Sequence, residues 1–308
     1  MERTFKHSGR KAFSFSKTPK TFKRLKGGDE GAFFLEALKQ DRLAIGALAL
    51  MLALMVAAMV GRFTITEITY LDLSRMNQRP SFQFWLGTDM RGRDLFQRLI
   101  LAFGNSVEAA ILASLISTFA GTALGLLGGY FGGILDRLVL WVIDFVGMAP
   151  TLVLILILFS LFHAPNRFQI AFIIAIFSWI QTARFVRTKT ILEKEMEYVH
   201  ASLTVGTSKW NILFQQILPQ MKPLVIAAFF LNVGLSLGVE TGISYLGFGF
   251  PYSVPSIGGL IASGGNLGVL LNRPWVWMPA SISVFLFMLC AHYVGQFLIR
   301  LADPGALE

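Results

Sequence analysis

Long apolar runs separated by short polar stretches set the rhythm of this chain. Six of them carry no Asp, Glu, Lys or Arg: Leu43–Gly61 (19 residues), Ala109–Leu135 (27), Phe145–Asn166 (22), Phe168–Ala183 (16), Pro223–Val239 (17) and Pro274–Ile299 (26). Crossing a hydrocarbon core takes about 20 mostly apolar residues in a helix. Four runs reach that length outright. The two shorter ones reach it by borrowing neighbours, with Arg167 and Lys222 snorkelling to the interface. Lipid offers no partner to an exposed peptide group, so each run must close its own hydrogen bonds as a helix. The pattern predicts an all-α membrane protein with six transmembrane helices.

Composition agrees. Of 308 residues, 54% are hydrophobic and 15% charged, and the mean hydropathy is +0.61. Soluble domains carry roughly 25% charge, and disordered chains pair low hydrophobicity with high net charge, so neither class fits. Cys290 is the one cysteine, which excludes an internal disulfide and a multi-cysteine metal site.

The net charge of +9 has an uneven distribution that orients the bundle. Eleven Lys and Arg precede the first run. With that tail in the cytoplasm, 19 of the 27 basic residues fall inside and 7 outside, while Arg62 stands at the outer boundary. The positive-inside rule then places both termini in the cytoplasm. The tail's basic residues suit anionic headgroups, so the charge calls for a lipid bilayer and no nucleic acid. A signal peptide is a poor fit, because the basic region is 42 residues long and the run behind it is long enough to remain as a span. The resulting plan has a basic tail over 1–42, a first transmembrane helix over 43–62 and an extracytoplasmic segment over 63–104. A core of five spans follows over 105–302, with a cytoplasmic loop at 184–222. Within 32–42, Phe34, Leu35 and Leu38 alternate with Glu36, Lys39 and Asp41, which predicts a short interfacial helix.

Several residues inside or beside the runs need a reason. Gly121, Gly125, Gly129 and Gly133 recur every four positions, as do Gly234, Gly238 and Gly242. Such strips serve close helix packing or a sliding surface for gating, and the sequence leaves both open. Glu108, Asp144 and Glu240 sit at run edges. An ionised carboxylate at the bilayer centre costs about 2.5–3.5 kcal/mol, so these should face protein or water. Pro150 follows Asp144 and predicts a bend in the third span. A proton relay through Asp144 and Glu240 has only His163 and His292 to extend it, and both histidines read as structural rather than metal ligands. No GxSxG, HExxH or GxxxxGK[ST] pattern is present. ATP hydrolysis, if transport uses it, must come from another polypeptide.

The loop 184–222 is the most informative segment. Leu192, Met196, Val199 and Leu203 form one apolar stripe; Gly206 can end that helix, and Thr207 or Ser208 can cap the next. Trp210, Leu213, Phe214 and Ile217 form a second stripe, which Pro219 should stop. Two short amphipathic helices around a glycine hinge suit either docking into a partner's groove or packing on the chain's own bundle.

Glu197-Tyr198-Val199-His200-Ala201-Ser202, then Gly206 and Leu218-Pro219, resembles the EAA loop of ABC-importer permeases. His200 stands in place of the usual glutamate, Ser202 of the second alanine and Gln216 of the isoleucine. Leu86-Gly87-Thr88-Asp89-Met90-Arg91-Gly92-Arg93-Asp94, with Arg98-Leu99-Ile100, resembles the LGTDxxGRDxxSRLI segment of oligopeptide and dipeptide permeases. Gly129-Tyr130-Phe131-Gly132-Gly133 with Asp136, the Asp144–Pro150–Leu152 spacing, Glu240 with Ser244-Tyr245-Leu246-Gly247, Pro255-Ser256-Ile257-Gly258 and the closing Ala302-Asp303-Pro304 follow in that family's order. The family's GARxS arginine is absent at Phe103-Gly104-Asn105-Ser106.

The resemblance implies a C-type permease with a type I ABC-importer fold, in the cell membrane of a prokaryote. It also implies a homologous second permease subunit, two ATP-binding subunits and an extracytoplasmic peptide-binding protein. ATP and Mg would sit on the ATPase subunits, with no cofactor or metal on this chain. By the same resemblance Glu197, Tyr198, His200, Ala201, Ser202, Gly206, Leu218 and Pro219 couple to the ATPases. Gly87, Thr88, Asp89, Gly92, Arg93 and Asp94 belong to an outer segment that shapes the mouth or receives the binding protein. Asp144, Pro150 and Glu240 are intramembrane or gating candidates. The alternatives are an ion-coupled secondary transporter, or an ABC importer for nickel or another small solute.

Overall fold

The computed structural model describes residues 37–65, 72–162 and 165–302. Most of the basic tail, His163 and the closing Asp303-Pro304 lie outside the described residues. So does the first half of the expected interfacial helix; residues 37–40 of it form one helical turn. The chain divides into two compact units, 1–42 and 43–308.

Among the described residues the fold is all-α. Five helices are long and apolar enough to cross a membrane: α1 (Arg42–Thr64), α2 (Leu95–Phe131), α5 (Arg167–Lys194), α7 (Lys222–Tyr245) and α10 (Met278–Ala302). Between α2 and α5 lie α3 (Gly133–Met148) and α4 (Thr151–Ser160), bent 79° from each other. They make a sixth span only if the pair counts as one. The Phe145–Asn166 run was expected to bend at Pro150; it does so by 79°, with a full break in the helix. Pro150 has no N–H to give, and Ala149 before it is extended (φ −79°, ψ 144°), the conformation a following proline imposes.

Helix ends follow side-chain chemistry more closely than they follow hydropathy. Asp94 caps α2 by accepting from the N–H groups of Phe96 (2.8 Å) and Gln97 (3.4 Å), so this helix starts well before the charge-free run. Asn166 and Gln169 form a reciprocal capping box at the start of α5, with both bonds at 2.9 Å. At its far end α5 runs on through Arg184 and Arg187 to Lys194, residues expected in the loop. A further stretch without charge, 241–272, does not span. Rich in glycine and proline, it breaks after Tyr245 and forms only α8 (Ile257–Ala262) and α9 (Leu267–Asn272).

The core centres on α2, whose glycines meet the backbone of α5. A Cβ on Gly121 would stand 2.7 Å from Trp179 O, one on Gly125 2.8 Å from Ala183 O, and one on Gly129 2.8 Å from Arg187 O. These three are packing glycines. Gly133, counted in the same strip by sequence, instead opens α3 with φ +59° and has open space around it. In the second strip Gly234 and Gly238 face Met288 of α10, while Gly242 faces nothing within 4 Å. A buried polar knot ties three helices together: Asn232 Nδ2 on α7 donates to Thr118 on α2 and Thr182 on α5, each at 2.9 Å. Outside this core α1 shows lipid-compatible side chains along most of its length, Leu52, Val56, Met59 and Phe63 among them.

Candidate functional site

The segment after α5 builds a compact platform. Helix α6 (Glu197–Thr204) ends in a Schellman turn: Thr207 N–H donates to Ser202 O and Gly206 N–H to Leu203 O, both at 3.0 Å. Gly206 takes φ +85°, which explains the glycine there. Ser208, rather than Thr207, caps the next helical segment, accepting from Asn211 N–H at 3.3 Å. That segment runs from Lys209 to Gln220 and widens into a π-turn over Ile212–Ile217, where Leu218 N–H reaches back to Leu213 O. Pro219 was expected to stop it. It does not: it sits in the first turn of Leu218–Gln220, directly after the widened turn, where the helix tolerates its missing N–H.

The two apolar stripes expected here split. Val199, Leu213 and Ile217 are buried with Ile212, Val186, Leu126 and Tyr130, so they fasten the platform to α2 and α5. Leu192, Met196, Leu203, Trp210 and Phe214 are exposed. For the first stripe the reason is the break at Glu195-Met196: α5 ends and α6 restarts, so one 3.6-residue period cannot run through both. Trp210 stacks on Phe214 at 5.8 Å between ring centres and meets Phe131 at 5.0 Å, joining the platform to the α2–α3 corner. Ser202 Oγ and Gln216 Oε1 pair at 3.0 Å across its two helices. Tyr198 donates to Glu193 Oε2 at 3.0 Å; burial and that carboxylate push its phenol pKa up, so the ring stays a neutral donor. His200 is exposed, 3.8 Å from Glu195, and Ala201 lies on the same open face. Six of the eight expected loop residues thus lie in or beside α6, with Leu218 and Pro219 at the far end of the platform.

The outer motif folds as one knot. Asp89 accepts from the N–H groups of Arg91 (2.8 Å) and Arg93 (3.0 Å) and from Arg93 Nε (2.8 Å). Gly87 and Gly92 take φ +73° and +72°, and each is pressed against neighbouring backbone, Gly92 on Asp72 O and Gly87 on Gln78 O. The buried Thr88 hydroxyl donates to Arg75 O and accepts from Gln78 N–H at 2.9 Å. Asp94 is the α2 cap. The motif's residues are therefore spent on a tight turn that launches α2.

Three of the carboxylates at the run edges pair with arginine. Glu108 receives Arg62 of α1 and Arg167 of α5, each at 2.6 Å. Asp136 takes Arg187 through both oxygens at 2.5 and 2.7 Å. Asp144 meets Arg184 at 3.0 Å. Buried Glu240 accepts from Ser244 at 2.6 Å through Oε1, while Oε2 has no partner. The sequence marks these acids but does not pair them with their arginines, which lie 40 to 59 residues away. No hydrogen bond among the described residues joins Asp144 to Glu240. Because the Glu108 cluster is one-third to one-half exposed, Glu108→Gln should cost only about 1 kcal/mol. For a chain of this size that is a melting point lower by about 2–4 °C in detergent, and an unchanged melting point would count against the clamp.

Beyond the outer motif lies a cavity of about 630 Å³, bounded by that motif, the end of α4 and the loop after α7. No group of His, Cys, Asp and Glu able to hold a metal occurs among the described residues.

Apolar helices of this length, packed through glycine and closed by a folded platform between α5 and α7, define a multi-pass helical membrane protein. The chain belongs to the binding-protein-dependent transport system inner membrane components, whose profile matches residues 121–306. It is 35% identical to the oligopeptide transport system permease protein OppC of Lactococcus lactis subsp. cremoris (strain SK11) over 271 residues, which is 87% of this chain and 92% of that protein. The same protein of Mycobacterium tuberculosis (strain ATCC 25618 / H37Rv) is 32% identical over 273 residues, again 87% and 92%. The glutathione transport system permease protein GsiD of Pectobacterium atrosepticum is 31% identical over 235 residues, or 76% and 77%.

Proposed function

We propose that this chain is one permease half of an ATP-driven importer of oligopeptides. A homologous second permease completes the pathway, two ATP-binding subunits with ATP and Mg drive it, and an extracytoplasmic binding protein delivers the peptide. Both termini and the platform 197–219 lie in the cytoplasm; the segment 72–94 and the 247–258 loop lie outside. The observation that carries this reading is the platform: a helix held by Val199 and closed by Gly206, with Trp210 and Phe214 left exposed. Exposed aromatics on a rigid, core-anchored element suit a protein partner. The names of the relatives supply the peptide.

The mechanism follows from what the platform touches. Closure of the ATPase pair pushes on α6, and Trp210 passes the displacement to Phe131 at the α2–α3 corner. The Asp136–Arg187 pair at that corner makes α5 move with it. ATP can shift access only by binding the two states unequally, so the platform must sit differently against the ATPases in each. The test is reconstitution in vesicles. Uptake of labelled peptide should require ATP, the binding protein and both permeases; uptake by this chain alone, or driven by an ion gradient without ATPases, would overturn the reading.

A further inference from the structure

The 630 Å³ cavity has the size of a small-ligand site, and its wall carries an unbalanced charge. Asp89, Arg91, Arg93 and Arg98 line it, with Tyr245 and Phe248 on the opposite loop. Asp89 is already engaged: two backbone N–H groups use Oδ1, and Arg93 takes Oδ2 at 2.7 and 2.8 Å. Arg98 reaches the same oxygen only at 3.8 Å, too far for a hydrogen bond, and its Nε is sealed from solvent without a partner. Its side chain is 11% exposed. A guanidinium this buried, with its Nε unpartnered and its nearest carboxylate at 3.8 Å, is costly, and an incoming carboxylate fits the two Nη donors at once. Three arginines and one aspartate thus supply the charge of a cavity whose remaining lining is uncharged, with aromatic rings and glycines beside Asn77 and four serines.

We propose that this cavity is a carboxylate-recognition subsite on the permease, where Arg98, supported by Arg91, receives the C-terminal carboxylate of a peptide. Tyr245 and Phe248 line the space for the terminal side chain. The volume admits the end of a peptide and excludes a folded protein domain. Asp89 keeps Arg93 occupied and leaves Arg98 for the ligand. The proposal rests on the peptide-import reading above and adds where the permease, as distinct from the binding protein, senses the peptide end.

The test uses the complete importer in vesicles and one tripeptide in two forms, free acid and C-terminal amide. Uptake kcat/KM is measured for each form with wild type, Arg98→Gln and Arg98→Lys. The binding protein's own preference is common to all three permeases and cancels in the ratio of ratios. R98Q should lower free-acid uptake roughly ten- to a hundredfold, as expected for a lost charge-assisted bond, and change amide uptake less than about threefold. R98K should restore part of the loss. Equal loss on both peptides, or loss on neither, overturns the subsite. Should R98Q fail to reach the membrane, Arg91→Gln carries the comparison, with a smaller loss of the same selectivity expected and a non-selective effect overturning the proposal. A wild-type importer that takes up neither form with ATP would sink peptide import itself, a result distinct from failure of the subsite.

Discussion

Gly206→Val is expected to lower ATP-driven uptake about tenfold or more while leaving the permease in the membrane. Gly206 closes α6 at φ +85°, and a Cβ built there meets nothing within 4 Å, so the constraint is backbone conformation and not space. A non-glycine residue in the left-handed region costs roughly 1–2 kcal/mol, and a β-branched one more. The cheapest escape is to unwind the Schellman turn, which releases Thr207 from Ser202 and swings Trp210 off Phe131. The bulk of the fold does not depend on that turn, because Val199, Leu213 and Ile217 anchor the segment separately. Uptake should fall about tenfold or more, with ATPase activity no longer stimulated by loaded binding protein. Asparagine tolerates the left-handed region, so Gly206→Asn should keep most of the coupling. Normal uptake by the valine variant at normal membrane levels would remove the platform from the mechanism.

Gly125→Leu should have the largest effect on the fold itself. At this position the helices α2 and α5 touch through backbone: an added Cβ would lie 2.8 Å from Ala183 O and 2.9 Å from Arg187 N. Backbone atoms cannot rotate aside, so the helices must part. Overpacking costs about 1–3 kcal/mol where side chains can give, and separating α2 from α5 also strains the Asn232 knot and the Asp136–Arg187 pair. The variant should lose its monodisperse, folded form in detergent. Gly128→Ala is the control one turn away in character: its added carbon finds Asp136 and Val139 at 3.5 Å, an ordinary contact. A Gly125→Leu protein that melts within about 2 °C of wild type would show that α2 and α5 do not pack this closely.

The two strips show how far spacing alone reaches. A glycine every four residues marked a close-approach face, and Gly121, Gly125 and Gly129 occupy one. The same spacing also gathered Gly133 and Gly242, where an added Cβ would meet nothing within 4 Å. Periodicity records which residues share a face of an ideal helix; it does not record where the helix stops. Gly132 and Gly133, both at positive φ, end α2 and start α3, a break that four-residue spacing does not register. The platform repeats the lesson. Glycine and serine marked its turn, yet the first apolar stripe was drawn across the break at Glu195-Met196, and of its four residues only Val199 is buried.

By itself the sequence determined that this chain lives in a bilayer. Hydrocarbon thickness and the need to satisfy every peptide group act on any run of about twenty apolar residues, whatever its neighbours. Local chemistry marked the platform's turn: Gly206 ends one helix and the Thr207-Ser208 pair offers the cap of the next, because each acts within a few residues. The tertiary structure alone decided the partners. Arg187 finds Asp136, Arg62 and Arg167 share Glu108, and Arg98 Nε is left without a hydrogen-bond partner among the described residues, since these outcomes depend on how segments distant in sequence are set side by side. Charge balance is a sum over neighbours in space, and one chain read in order does not contain it.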